Sequence, residues 1–159
     1  EEVLPKNTIW DAVVIGGGPA GLTAACRLSF QGLSVALVEP KQSFGSPTGV
    51  SSKVLREVAM DHGVSTSWDD VLAIRQLIDQ NDAKRVASQL KRYGVTFFKG
   101  TGEIIGCDTD GITKVVVRDS ADVVGELLAR KGVVSTGSKF RRLNGIPFDK
   151  NGQKVTIFL

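Results

Sequence analysis

The stretch from Trp10 to Gln31 constrains this chain more than any other, because it joins three local signals that few folds can accept together. Trp10-Asp11-Ala12-Val13-Val14-Ile15 is a short apolar run rich in β-branched residues, the pattern of a buried strand. It stops at Gly16-Gly17-Gly18-Pro19-Ala20-Gly21, where glycine recurs as G-x-G-x-x-G. From there Leu22, Ala25, Leu28 and Leu33 recur at helical spacing, and Gly32 stands where a helix would end. The stretch reads as strand, glycine turn, helix.

The composition of the turn implies a use. Gly16 permits a tight reversal out of the strand, Gly18 removes the Cβ that would hold a pyrophosphate off the backbone, and Gly21 lets the helix approach the strand. Pro19, followed by Ala20, suits a first helical turn because its missing N–H sacrifices no helical bond. The free N–H groups and the positive end of the helix dipole then face the phosphates. Ser34-Val35-Ala36-Leu37-Val38 follows as a second buried strand and ends at Glu39-Pro40. A carboxylate about 20 residues past the turn is placed for both hydroxyls of an adenosine ribose and would repel a 2′-phosphate. The plain alternative is an ordinary βαβ unit with a surface glutamate.

At 159 residues the chain suffices for one domain with a sizeable core, and its 42% hydrophobic and 23% charged content is that of a soluble globular protein. No apolar run approaches the ~20 residues of a membrane span, and no charged-then-apolar segment marks a signal peptide. The chain opens on Glu1 and not on Met, so a leader removed ahead of it is an expectation. The net charge of +3 comes from 20 basic and 17 acidic residues. They are interspersed apart from a modest basic cluster after Gly137. With only 6% aromatic residues, this balance points away from nucleic acid and toward simple solvation. Cys26 and Cys107 share no C-x-x-C spacing, and His62 is the single histidine, so neither a structural zinc site nor a disulfide framework is expected. Both thiols are expected to be buried and inert, in a reducing compartment such as cytoplasm, organelle matrix or stroma. His62 reads as a helix-end residue.

Residues 1–9 read as a lead-in. Lys41 to Ser52 is a loop by composition, and Lys53 to Met60 restores a helix with Ser51 or Ser52 as N-cap. Ser67-Trp68-Asp69-Asp70 resembles a capping box and opens a helical segment through Tyr93, either one helix or two meeting near Asn81; Gly94 ends it. Val95 to Lys99 is the next buried strand, and Gly100-Thr101-Gly102 is its turn. Glu103–Gly106, Ile112–Arg118 and Val123–Leu128 read as a three-stranded antiparallel meander, with Asp108 to Gly111 a hairpin turn. Gly132 to Ser138 is a further apolar strand running into a small-residue turn. The fold class is α/β: a Rossmann-like parallel sheet with an inserted three-stranded meander.

Four features in this order resemble the N-terminal part of the two-dinucleotide-binding-domain flavoproteins, the family that includes dihydrolipoamide dehydrogenase, glutathione reductase, mercuric reductase and soluble pyridine nucleotide transhydrogenase. They are Val14 to Gly21, Val38-Glu39, Ser52-Lys53-Val54-Leu55, and Ser135-Thr136-Gly137-Ser138 with Gly145-Ile146-Pro147-Phe148 behind it. The likeness covers residues 10–150, a partial FAD-binding domain, and leaves 151–159 as a truncated C-terminal segment. It implies noncovalent FAD. Gly16, Gly18, Pro19, Ala20 and Gly21 would hold the pyrophosphate, Glu39 with Pro40 beside it the adenosine ribose, and the backbone near Gly102 the adenine. Ser52 and Lys53 would lie beside the flavin, where the lysine charge stabilises the reduced, anionic ring. Thr136 and Gly137 would close over the cofactor in the family's alanine-threonine-glycine motif, whose first position is Ser135 here.

The sequence also departs from that pattern. Where the disulfide reductases carry two cysteines before the serine-lysine pair, this chain has Phe44 and Gly49, so a disulfide relay to a dithiol is not expected. The family's nicotinamide-binding and dimerisation domains have no counterpart in it. The expected function is the FAD-binding portion of an NAD(P)H oxidoreductase without a redox disulfide, transhydrogenase- or diaphorase-like, from a homodimeric parent. The alternative is a noncatalytic Rossmann-like nucleotide-binding or packing module.

Overall fold

The computed structural model describes residues 8–40, 56–58, 60, 67–120 and 122–138. The strands are β1 (Ile9–Ile15), β2 (Val35–Glu39), β3 (Thr96–Lys99), β4 (Thr101–Cys107), β5 (Thr113–Asp119) and β6 (Asp122–Val134), and the long helices are α1 (Pro19–Phe30) and α2 (Trp68–Tyr93). Residues 56–58 and 60 are also helical, within the helix expected over Lys53 to Met60.

All six strands join one sheet in the order β3-β2-β1-β6-β5-β4. Strands β3, β2, β1 and β6 run parallel, while β6, β5 and β4 form the antiparallel meander. The expected architecture is therefore the observed one. Strands β3 and β4 occupy opposite ends of the hydrogen-bonded order, yet only Gly100 separates them in sequence, so the sheet curls until its edges meet. Gly100 sits at φ 152°, and a Cβ there would fall 2.6 Å from Val117 Cγ1 and 2.8 Å from the Arg118 carbonyl oxygen. Nothing larger than glycine fits that junction.

The curl divides the core into two apolar layers. Inside it, Trp10, Val13, Ile15, Ala36, Val38 and Phe98 of the parallel strands meet Val115, Val117, Leu127 and Ala129 of the meander. On the other face, Ala12, Val14, Val35 and Leu37 pack on Ala25 and Cys26 of α1 and on Val86 and Leu90 of α2. The buried face of α1 is built from the small residues Gly21, Ala25 and Cys26, which lets the helix lie close to the sheet. Fully buried Leu37 alone contributes about 1.5–3 kcal/mol.

Helix α2 is one continuous helix, which settles the alternative of two meeting near Asn81. Ser67 caps it, its hydroxyl oxygen accepting the Asp70 N–H at 3.2 Å and donating to the Asp70 carboxylate at 2.6 Å. Asp69 and Asp70 face the positive end of the dipole, Lys91 and Arg92 the negative end, and Gly94 at φ 71° closes it. The polar middle needs no break because an exposed helix face carries it, with Arg85 and Asp82 paired at 3.1 Å. The Ser29 hydroxyl donates to the Tyr93 carbonyl, tying the ends of the two helices.

Three expectations are corrected. Val123–Leu128 and Gly132–Val134 are not separate strands but one strand, β6, whose first half pairs with β5 and whose second half pairs with β1. Gly132 does not break it, because it lies in the parallel ladder opposite Val13. Cys107 is exposed at the end of edge strand β4, and only Cys26 is buried. Thr101 and Gly102, expected in the turn, already belong to β4. No helix among the described residues is long and apolar enough to cross a membrane.

Candidate nucleotide-binding site

The parallel strands β2, β1 and β6 end side by side, with Ile15 opposite Val38 on one flank and Val134 on the other. The chain leaves β1 for β2 on one side and reaches β6 on the other, so the carboxyl end of β1 is the topological switch point of the sheet. In open α/β sheets that is where a crevice forms. The glycine turn lies in it.

Gly16, Gly18 and Gly21 each have a different reason to lack a side chain. Gly16 adopts φ 107°, and a Cβ there would sit 2.3 Å from the Ser135 carbonyl oxygen. At Gly21 a Cβ would sit 1.8 Å from the Gly16 carbonyl oxygen and 2.6 Å from Ser135 Oγ, so the start of α1 is pressed directly onto the turn. Gly18 is the opposite case. A Cβ there meets nothing within 4 Å among the described residues, and the residue sits in an ordinary extended conformation, φ −71° and ψ −180°, as the N-cap of α1. Among the described residues its bareness satisfies no neighbour, and it leaves open space between them over the helix start. Pro19 and Ala20 are exposed beside it, and no side chain among the described residues caps α1. An uncapped helix N-terminus over open space favours an anion.

Hydrogen bonds hold the turn from both sides. Gly16 N–H donates to the Val38 carbonyl at 2.9 Å. Gly17 N–H donates to Glu39 Oε2 at 2.7 Å, which brings the carboxylate at the end of β2 to the lip of the turn. From the β6 side, Ser135 N–H donates to the Ile15 carbonyl at 2.8 Å. The Ser135 hydroxyl lies 3.1 Å from the carbonyl oxygens of Ile15 and of Gly16. Sequence reasoning gave Glu39 a place here but assigned Ser135 no task; the signal available was a hydroxyl at the end of an apolar strand.

Of the other expected site residues, Gly102 comes to the same end of the sheet. A Cβ on it would meet the Ile15 side chain at 3.0 Å, and Gly100 N–H donates to the Glu39 carbonyl at 3.1 Å, anchoring the start of β4 to the end of β2. Thr136 and Gly137, the latter at φ 72°, are exposed just past β6, and Pro40 is exposed just past Glu39. The structure thus gathers Gly16, Gly18, Pro19, Ala20, Gly21, Glu39, Pro40, Gly102, Thr136 and Gly137 at one end of the sheet. Ser52 and Lys53 lie outside the described residues, as do Phe44, Gly49 and the segment from Gly145 to Phe148.

The fold and this site define the FAD/NAD(P)-binding type of α/β protein. The family model described as pyridine nucleotide-disulphide oxidoreductase matches residues 10–158, and the chain belongs to that family. It is 32% identical over 148 residues to a dihydrolipoyl dehydrogenase of Acholeplasma laidlawii, covering 81% of this chain and 41% of the relative. Over 160 residues it is 30% identical to a soluble pyridine nucleotide transhydrogenase of Mycobacterium bovis, covering 89% and 33%. A Cys-to-Ser variant of the HOCl-induced flavoprotein disulfide reductase RclA from Escherichia coli, in its copper(II) complex, superposes with a TM-score of 0.71 at 21% identity. That match covers 86% of this chain and 30% of the other, and shows the fold. The chain spans about a third of the length of most of these relatives. Members of the family are flavoproteins that bind FAD and use pyridine nucleotide. The residues present fit such a group: the open space over Gly18, the uncapped start of α1 and the Glu39 carboxylate are what a pyrophosphate and a ribose require of a protein.

Proposed function

We propose that this chain, over residues 10–150, is the FAD-binding portion of a flavin-dependent NAD(P)H oxidoreductase that works without a redox disulfide, in the manner of a transhydrogenase or diaphorase. The observation that carries the reading is Gly18, which among the described residues stands bare beside open space at an uncapped helix start, with a carboxylate 2.7 Å from the adjoining Gly17 nitrogen. In this reading the N–H groups of the turn and the α1 dipole bind the pyrophosphate, with Pro19 and Ala20 at its edge, and Glu39 accepts the ribose hydroxyls next to Pro40. The backbone at Gly102 borders the adenine, and Thr136 and Gly137 cover the cofactor from the end of β6. FAD, when bound, supplies a two-electron acceptor for hydride from a reduced nicotinamide.

The chain's own contribution to that chemistry is placement and charge. By the family resemblance Ser52 and Lys53 would lie beside the flavin, where the fixed positive charge of Lys53 would favour the reduced, anionic ring. Phe44 and Gly49, at the positions where the resemblance calls for two thiols, leave no disulfide to carry electrons to a dithiol. The nicotinamide site and the contacts of a homodimer belong to a longer parent, in a reducing compartment. The test is an absorption and fluorescence titration of the purified chain with FAD. Stoichiometric, quenched flavin is the expected result, with Lys53→Ala lowering the flavin potential; no binding at millimolar FAD refutes the reading for this chain.

A further inference from the structure

Glycine turns hold their shape through backbone bonds, and here side chains from both flanking strands add to them. From β2, Glu39 Oε2 accepts the Gly17 N–H at 2.7 Å. From β6, the single Ser135 hydroxyl proton is shared between the Ile15 and Gly16 carbonyl oxygens, each 3.1 Å from Oγ. The two contacts are complementary in sign: an acceptor meets the outward N–H of the turn, and a donor meets its inward carbonyls. The Ser135 oxygen also lies 2.6 Å from the point a Gly21 Cβ would occupy, so it fills the niche beneath the first turn of α1.

We infer that Ser135 is a positioning residue for the phosphate-binding turn: its hydroxyl staples the carbonyls of Ile15 and Gly16 to the end of β6, so that the turn is formed before any nucleotide arrives. Holding those carbonyls inward points the N–H groups of the same two peptides outward, where Gly16 donates to the Val38 carbonyl and Gly17 to the Glu39 carboxylate, and so fixes the path of the chain into Gly18 and the start of α1. A preformed turn loses less entropy on binding than one ordered by its ligand. Ser135 touches no ligand in this scheme and acts through the backbone of Ile15 and Gly16. The inference rests on the proposed FAD reading for its use, but the staple itself is a property of the ligand-free chain.

Ser135→Ala removes the hydroxyl and leaves the backbone N–H bond to Ile15 in place. The experiment follows amide hydrogen exchange at Gly16 and Gly17, with Leu37 and Val38 as references, in the ligand-free chain and its S135A variant, together with FAD titration of both. The expected result is about fivefold faster exchange at Gly16 and Gly17 with Leu37 and Val38 unchanged, and about fivefold weaker FAD binding, the share one hydrogen bond commands. Unchanged exchange at the turn overturns the staple, as does a rise shared equally by Leu37, which marks a general loss of stability. An FAD affinity that S135A leaves unaltered overturns the positioning role. Should the unmodified chain bind no FAD, it is the flavin reading that fails, and the exchange comparison still decides the staple.

Discussion

Gly21 and Gly18 sit three residues apart in one motif, yet the structure gives them opposite consequences on substitution by alanine. At Gly21 the new Cβ would lie 1.8 Å from the Gly16 carbonyl oxygen, at least about 1 Å inside any tolerable contact. That oxygen cannot retreat, because Gly16 is held through its N–H by Val38 and through its carbonyl by Ser135. The start of α1 must therefore lift, loosening Ala25 and Cys26 from Val14 and Leu37. Overpacking of this kind costs about 1–3 kcal/mol, and a backbone obstacle places it near the upper end. In a domain of this size that lowers Tm by about 6–12 °C. At Gly18 the Cβ meets nothing among the described residues, and φ is ordinary. Alanine is a poorer N-cap than glycine, but it also restricts the unfolded chain, so the net change stays within about 1 kcal/mol. It does fill the space assigned to the pyrophosphate, and FAD affinity should fall at least about tenfold. Thermal melts followed by circular dichroism, paired with flavin fluorescence titrations, measure both. A Gly21→Ala chain melting within about 2 °C of the parent refutes the packing argument, and a Gly18→Ala chain binding FAD as the parent does refutes the placement of the phosphates.

Three further outcomes follow from other elements. Ser67→Ala removes the cap of α2 and should lower stability by about 1 kcal/mol, read as a lower Tm with faster exchange at the Asp70 amide. The Ser34 backbone N–H and then its hydroxyl, with Arg130 assisting against slight desolvation, hold the Asp11 carboxyl below the ordinary aspartate range. Because the folded value is the depressed one, the stabilisation is present above the unfolded pKa of about 3.9 and is lost as pH falls through the folded value. The parent should thus lose more stability than Asp11→Asn between about pH 6 and about pH 3 in chemical denaturation, and equal losses would count against the clamp. A thiol-reactive dye should label exposed Cys107 in the native chain and reach Cys26 only on unfolding, since burial, opposed by a Gln89 hydrogen bond, pushes the Cys26 thiol up; equal native rates would contradict this.

Where residues signal locally, the sequence was a sufficient guide. The β1-turn-α1-β2 unit announces itself because an apolar run, a glycine turn and a helical stripe fall in immediate succession, and Ser67 and Gly94 bracket α2 by their own cap chemistry. What escaped depends on partners distant along the chain. Arg130 and Lys131 look like an interruption after Leu128, but they are exposed positions of a strand whose partner changes from β5 to β1 along its length. Cys107, with no thiol at metal or disulfide spacing, reads as a buried, inert residue, while β4 turns out to be the sheet edge, where Ile104 and Ile105 are also exposed. Glu39 was legible as a site residue from its distance past the turn. Its bond to Gly17 and the Ser135 contacts needed the register of three strands.

The pairing of β1 with β6 also sets an order of events during synthesis. Ser135 stands 120 residues along the chain from the Ile15 carbonyl it holds. A growing polypeptide can assemble β1, α1, β2 and later β3 by local and intermediate contacts, but the inner apolar layer has no lid until β5 and β6 leave the ribosome. Through that interval Val13, Ile15, Val38 and Phe98 remain uncovered on one face, an invitation to chaperones and to aggregation alike. The glycine turn can be gripped from the β2 side as soon as Val38 and Glu39 are in place, but its second grip waits for Ser135.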